Sequence, residues 1–441
     1  MAKQKIIAGV DIGSSKITTV IASLSEEEEG KVGIIGVSSI VSKGVRKGQI
    51  VDIEEAAEVV IESIEAAERM AGYNITRTLV SVGGPHISSR NTKGVVAVAE
   101  PEKEISDEDV RRVIEAARAI SLPSTREIIH VLPRFFTVDG QEGIKDPVGM
   151  SGVRLEVETH IATGSVTAMK NLVKCVSEVG ADVQSLVFSG LASSESSLTA
   201  TEKELGVVLV DIGGGVTDIS IFVEGSPFYA ATLPIGARNV TNDIAIGLRL
   251  SLESAEKIKL ALSKRDKKVV LPRGKEGALK KKKTKFSDRD ADEISLRSLG
   301  VTDEKKKISK KTLTEGIIKP RLIEVFNMVG EEIKKSGAAG LIPSGIVVSG
   351  GGALTVGLEK AAKQCLSMPV RVGSPQGITG LIDDVQTPEY ATAIGLVLYG
   401  ARHQVEPAVS FSLGQIGRSF NKIPLKGVFG RAIGLVKSFL P

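Results

Sequence analysis

The stretch from Val207 to Phe222, VVLVDIGGGVTDISIF, constrains the fold more than any other part of the chain. An apolar, β-branched run ends on Asp211, three glycines follow, and a second apolar run opens after a second acid, the pattern of a hairpin with a polar tip. Glycines at such a tip let the backbone take positive φ and bring its N–H groups against something large and negative, which side chains would obstruct. A phosphate fits that description, although one such loop is equally a tight turn with no ligand. Ile6 to Thr19, IIAGVDIGSSKITT, repeats the design about 200 residues earlier, with Asp11, Gly13 and small hydroxyl residues before the apolar return of Ile17 to Ala22. The echo implies two related domains facing one ligand. A third glycine turn, SGGGAL from Ser349 to Leu354, follows the apolar run Gly345 to Val348. It leads into a helix expected from about Thr355, whose unpaired N–H groups and dipole favour an anion.

Length and composition narrow the class. A chain of 441 residues has room for two or three domains with proper cores. Tryptophan is absent and aromatics are 3% of residues, which argues against nucleic-acid recognition by stacking. Cys175 and Cys365 lie far apart without metal-ligand spacing, so both are expected as buried free thiols in a reducing compartment. Neither a signal peptide nor an uninterrupted apolar stretch of about 18 residues is visible, so no membrane span is expected. Lys264 to Lys285 and Lys305 to Lys311 are strongly basic but lack interleaved aromatics, and read as a solvated insertion rather than a nucleic-acid site.

Between these landmarks the pattern is α/β. Glu26 to Gly30 reads as a solvated hairpin tip, Val32 to Ile40 as a strand, Ile53 to Ala71 as an amphipathic helix, and Leu79 to Val82 as a short buried strand. Residues 83–164 change character. Strands near Ile87, Val95 to Val98, Ile128 to Leu132, Phe135 to Val138 and Leu155 to Thr163 surround a helix capped by Ser106 with Asp109 three residues on, forming an inserted α+β subdomain. The earlier style resumes with a helix from Ser165 to Val179 and a strand from Val183 to Val187. Helices are then expected over Ala237 to Leu248, after a Ser251 or Ser254 cap, over Gly316 to Lys335, and over Pro388 to Tyr399.

The tail has its own signature. His403 to Ile423 is rich in Gly, Ser and Gln and reads as a linker. From Leu425 on, Leu425, Val428, Phe429, Ala432, Ile433, Leu435, Val436, Phe439 and Leu440 fall within an arc of about 160° at helical spacing. Lys426, Arg431 and Lys437 flank that face, as expected of a helix lying in an anionic membrane surface. A helix docked on protein is the plainer alternative.

Together these motifs resemble the actin, Hsp70 and sugar-kinase superfamily: Asp11-Ile12-Gly13-Ser14-Ser15 is similar to its first phosphate loop, Asp211-Ile212-Gly213-Gly214-Gly215 to its second, and Val348 to Ala353 to its adenosine loop. Within it, the early insertion, the basic segment and the tail resemble the FtsA family of bacterial cell-division proteins. The resemblance implies an α/β, actin-like two-lobed ATPase fold with an inserted α+β subdomain and a C-terminal amphipathic helix. The first lobe would comprise 1–82 with 165–205 and 385–402, and the insertion 83–164. The second lobe would comprise 206–243 with 330–384, and 244–329 a subdomain carrying the basic insertion. A linker at 403–423 and the membrane helix at 424–441 would complete the chain.

It also implies ATP and Mg²⁺ in the cleft. The phosphates would meet Gly13, Ser14, Ser15 and Lys16 on one side and Gly213, Gly214, Gly215 and Thr217 on the other. Asp11 and Asp211 would hold the metal, mostly through water. Gly236 and Asn239, Glu256 and Lys259, and Gly350, Gly351, Gly352 and Ala353 would complete the nucleotide site, the Glu256–Lys259 pair being otherwise an ordinary salt bridge. Arg321 and Glu324 match the family stretch that contacts the carboxy-terminal peptide of the tubulin-like protein FtsZ. The family would place the chain at the division site, peripheral on the cytoplasmic face of the inner membrane, where it forms filaments with itself and recruits later division proteins. Two departures bear on turnover. Val216 stands where many relatives have threonine, and Phe188-Ser189-Gly190 stands where hydrolytic relatives often place a Glu or Gln to orient water, so slow hydrolysis is expected. An FtsA-like pilus-assembly protein and a metabolic kinase or phosphatase are the alternatives.

Overall fold

The computed structural model describes residues 5–24, 32–98, 104–266, 292–295, 307–381 and 385–403. The acidic turn at 26–29, most of the lysine-rich insertion, the linker and the terminal amphipathic segment lie outside the described residues.

Two sheets carry the architecture, and five strands in each run in the same order. In the first, β3 (Val32–Val41), β2 (Lys16–Leu24), β1 (Lys5–Ile12), β6 (Arg77–Val82) and β11 (Asp182–Phe188) lie side by side. In the second the sequence is β14 (Ser226–Leu233), β13 (Thr217–Val223), β12 (Val207–Ile212), β17 (Ile346–Ser349) and β18 (Val370–Val372). The first three of each set are antiparallel and the last two parallel to the central strand. The central strands β1 and β12 are wholly apolar over four residues because they are covered on both faces.

Helices cover the sheets as the periodicity predicts. α1 (Ile53–Ala71) is capped by Asp52, whose carboxylate accepts the Glu55 N–H at 3.1 Å, and ends on Gly72 at φ 66°. Its buried Ala56, Val60, Ile64 and Ala67 form one stripe against the first sheet. α3 (Val166–Ser177) and the short α4 (Ser189–Ser197) and α5 (Ala200–Leu205) connect the sheets. In the second lobe α6 (Ala237–Leu248), α7 (Leu252–Asp266), the single turn α8 (Lys310–Leu313), α9 (Lys319–Ser336) and α10 (Leu358–Leu366) share a core around Phe326 and Ile244. Each large side chain so buried contributes about 1.5–3 kcal/mol. β15 (Glu293–Ser295) and β16 (Lys307–Ser309) form a separate pair. α11 (Ala391–Arg402) crosses α4 closely enough that a methyl on Gly395 would overlap the Ala192 carbonyl.

The insertion is built from β7 (Ser88–Ala97), α2 (Asp107–Arg118), β8 (Arg126–Val138), β9 (Gln141–Ile144) and β10 (Arg154–Ser165), and Ser106 and Asp109 close a reciprocal capping box on α2. Four findings differ from the sequence reading. First, residues 126–138 form one strand instead of two, because Pro133 falls at a β-bulge where the ladder to β10 shifts register. Second, the insertion does not keep a sheet of its own: Ala231 of β14 pairs with Ser88 of β7, giving nine continuous strands. Third, β19 (Ile378–Gly380), placed by sequence in the second lobe, adds parallel to β3 at the edge of the first sheet. Fourth, a π-helical turn, Thr314–Ile318, precedes α9, so the helix expected from Gly316 begins at Lys319 with Pro320 in its first turn. Cys175 is buried, as expected, whereas Cys365 is only partly so.

Candidate functional site

The two echoing hairpins are the same structure. In β1–β2 Asp11 faces Thr18 and Ile12 faces Ile17; in β12–β13 Asp211 faces Asp218 and Ile212 faces Thr217. Gly13 N–H donates to the Lys16 carbonyl at 3.1 Å, and Gly213 N–H to the Val216 carbonyl at 2.9 Å. The tips touch. A side chain on Gly214 would overlap Ser15, and one on Gly215 would come within 2.8 Å of the Ser14 hydroxyl and 3.2 Å of the Lys47 amide. The glycines of the second tip are thus demanded by the first tip, in addition to any ligand.

Behind the tips lie three carboxylates. Asp11 accepts the Ser81 hydroxyl at 2.7 Å. Asp211 accepts the hydroxyls of Ser193 on α4 and, at 3.0 Å, Thr392 on α11. Asp218 accepts Thr232 at 2.5 Å. Burial pushes the Asp11 carboxyl up to about 6, against the Ser81 hydrogen bond and with help from the Asp211 charge. Burial likewise raises Asp211, and it pushes Asp218 up to about 8, aided by both neighbours. Hard oxygen donors held this close, with the Asp211 charge raising both Asp11 and Asp218, are chemically suited to a divalent cation, which would reverse those shifts. Among the described residues no group of three or more His, Cys, Asp or Glu side chains is placed to hold a metal ion by itself.

Asp218 is the residue the sequence reading passed over, and strand parity would have found it. Cross-strand partners project to one face, so Asp218 stands beside Asp211 and Thr217 turns the other way. Thr217, expected at the phosphates, is fully buried and donates to the Ile235 carbonyl at 2.8 Å. Its place beside the connecting stretch is taken by Asp218, which lies next to Gly83 and Ser189. The only acid within the LVFSGLASSESS stretch, Glu195, is held by Lys203 at 2.6 Å and by Arg402, and stands apart from the carboxylates.

The remaining residues fall into two groups. Lys16 reaches across to Glu389 at 3.1 Å and lies over the Tyr390 ring at 3.9 Å. Gly350, at φ 79°, backs directly on the Asp211 carboxylate and donates to the Pro388 carbonyl at 3.0 Å. Gly352 packs on Ile212, whereas Gly351 is exposed. The helix expected here from Thr355 starts instead at Leu358, after a 3₁₀ turn Gly351–Leu354 that consumes the N–H groups of Ala353 and Thr355. Gly236 and Asn239 cap α6, Gly236 N–H donating to the Asn239 side chain at 3.1 Å. Ala237 and Arg238 N–H donate, each at 2.9 Å, to the carbonyls of Gly213 and Gly214, so α6 grips the second tip. Lys259 is no surface pair: only 7% exposed, it meets the Ala237 carbonyl at 3.3 Å, Thr241 at 2.9 Å and Glu256 at 2.8 Å. Arg321 sits apart from these groups, bidentate to Asp243 at 2.6 and 2.8 Å and paired with Glu324.

Comparison with known proteins extends this picture. Residues 84–163 match the family model described as the SHS2 domain inserted in FTSA, and residues 208–395 match the model for cell division protein FtsA. The cell division protein FtsA of Pseudomonas aeruginosa is 37% identical over 417 residues, spanning 95% of this chain and 94% of that protein. Among solved structures, a PilM–PilN type IV pilus biogenesis complex aligns at a TM-score of 0.60 and 16% identity, covering 91% of this chain and 99% of that one. MreB5 of Spiroplasma citri bound to ADP aligns at 0.50 and 14%, covering 90% and 96%. The structural neighbours share the actin-like fold alone, whereas sequence likeness over nine-tenths of both chains, together with the inserted SHS2 domain, carries the assignment: the chain belongs to the FtsA family of cell division proteins.

Proposed function

We propose that this cell-division protein binds ATP with Mg²⁺ between its two hairpin tips and, held on the membrane by its tail, anchors FtsZ filaments at the division site. The observation that carries the nucleotide reading is the meeting of two equivalent tips over the clustered carboxylates of Asp11, Asp211 and Asp218. When bound, the metal would supply positive charge to the phosphates, and Asp11 and Asp211 would hold it. Ser14, Ser15 and the backbone of Gly213 to Gly215 would meet the phosphates; Lys16, freed from Glu389, would add charge on the same side. Gly350 to Ala353 and the Glu256–Lys259 pair would flank ribose and base.

Turnover is expected to be slow. Phe188-Ser189-Gly190 offers no Glu or Gln to orient the attacking water, and Glu195, the acid further along that stretch, is committed to Lys203 and Arg402. ATP then acts mainly as a conformational ligand. Arg321 and Glu324 are the proposed contacts for the FtsZ peptide; to serve, Arg321 would share its guanidinium with Asp243. Filament formation with further copies and recruitment of later division proteins complete the reading.

The test is calorimetric titration of the full chain with MgATP. Saturable binding is expected that Asp11→Ala and Asp211→Ala each weaken at least about tenfold, the scale of one charged contact. Absence of binding by the unaltered chain would sink the nucleotide reading.

A further inference from the structure

Between β3 and α1 the chain forms a miniature hairpin, β4 (Val45–Arg46) and β5 (Gln49–Ile50), turned by Lys47 and Gly48. Both turn residues have positive φ, 48° and 70°. That is a two-residue hairpin turn whose first position ordinarily goes to Asn, Asp or Gly, and a lysine is an unusual occupant. An unusual backbone conformation held by its surroundings points to a use.

The surroundings are specific. Gly48 N–H donates to the Ser14 hydroxyl of the first tip at 2.9 Å. The Lys47 amide lies beside Gly215 of the second tip. Ser42, just upstream, donates its N–H to the Ser15 carbonyl at 3.0 Å. On its far side Gly48 packs on Gly83 and Gly84, where the chain leaves the first sheet for the insertion; a methyl on Gly48 would stand 3.1 Å from both. One turn of two residues therefore touches both candidate phosphate tips and the root of the inserted subdomain. Arg46 and Lys47 are exposed, and among the described residues neither has an ion-pair partner. An unpaired cation on a rigid turn, at the meeting point of two anion-binding loops, lacks only its anion.

We propose that the Lys47–Gly48 turn is a third wall of the phosphate site, in which the Gly48 amide orients the Ser14 hydroxyl and the Lys47 ammonium meets the terminal phosphate of a bound nucleoside triphosphate. This rests on the nucleotide reading above and adds to it a discriminator: a group that meets the terminal phosphate distinguishes triphosphate from diphosphate. The turn's seat on Gly83 and Gly84 also puts that discrimination in contact with the insertion.

The experiment is a comparison of MgATP and MgADP affinities for the full chain and for Lys47→Asn and Lys47→Arg. Asparagine suits positive φ better than lysine, so Lys47→Asn leaves the turn intact and removes only the charge. Expected is a loss of about tenfold in ATP affinity for Lys47→Asn with ADP affinity within twofold, and recovery of most of the loss in Lys47→Arg. Equal affinities of Lys47→Asn and the unaltered chain for ATP overturn the proposal, as does an equal loss for both nucleotides. If the unaltered chain binds neither nucleotide, it is the underlying nucleotide reading that falls.

Discussion

Two kinds of buried titratable residue set what single side chains do here. Asp218 is neutral at pH 7 and accepts from Thr232, so an amide of the same shape replaces it without loss. Asp218→Asn is expected to leave the urea midpoint at pH 7 essentially unchanged. Asp218→Ala strands a buried hydroxyl and costs about 1–3 kcal/mol in the same measurement. The histidines run the other way. His130 accepts the Phe188 N–H at 2.9 Å and His160 bonds Asn91 at 2.8 Å; burial holds them at about 3 and about 4. Below pH 6.5 the unfolded chain takes up protons that the folded chain refuses, so the stability these residues give is full above 6.5 and falls away as pH drops toward 4. His130→Gln keeps an acceptor for Phe188 and removes the titration. Its melting temperature relative to the unaltered chain is therefore expected to rise between pH 7.5 and pH 5.

At the scale of elements, what the sequence disclosed depended on range. The hairpins were legible because an apolar run, an acid and glycines are neighbours in the chain, and the α2 capping box because Ser106 and Asp109 are three residues apart. Thr217 and Asp218 were readable in principle, since alternation within a strand decides which of two adjacent residues faces the cleft. Pro133 misled, because a proline that ends most strands here occupies a bulge within one. The pairings of β19 with β3 and of β14 with β7 were not legible, since nothing local marks which edge a distant strand will choose. The crossing of α4 and α11 is the element most exposed to damage. Gly395→Ala forces a methyl into the Ala192 carbonyl and is expected to cost about 3 kcal/mol by chemical denaturation, the upper part of the range for overpacking. Because Ser193 and Thr392, one on each helix, both donate to Asp211, the same substitution is expected to weaken MgATP binding.

At the scale of the whole molecule, the function proposed above joins a nucleotide-binding core to a membrane-seeking tail. In that proposal, membrane attachment belongs to the segment at 424–441, whose apolar residues share one face at helical spacing. Removing residues 422–441 is expected to abolish co-sedimentation with anionic vesicles while leaving MgATP affinity unchanged. Retained co-sedimentation would move the membrane site elsewhere on the chain.

The inserted subdomain is rooted by its chain in the first sheet, at Gly83 and Gly84, yet it is sewn to the second. Ser89 exchanges two hydrogen bonds with Ala230 at 2.8 and 2.9 Å, Asn91 donates to the Phe228 carbonyl at 3.2 Å, Ser226 to the Arg134 carbonyl at 3.1 Å, and Lys145 to the Glu224 carbonyl. Any parting of the two sheets must therefore stretch this strap as well as flex the crossing helices. A clasp fastened at two points breathes less than a book hinged along one spine, and force applied to the strap is felt inside the covers.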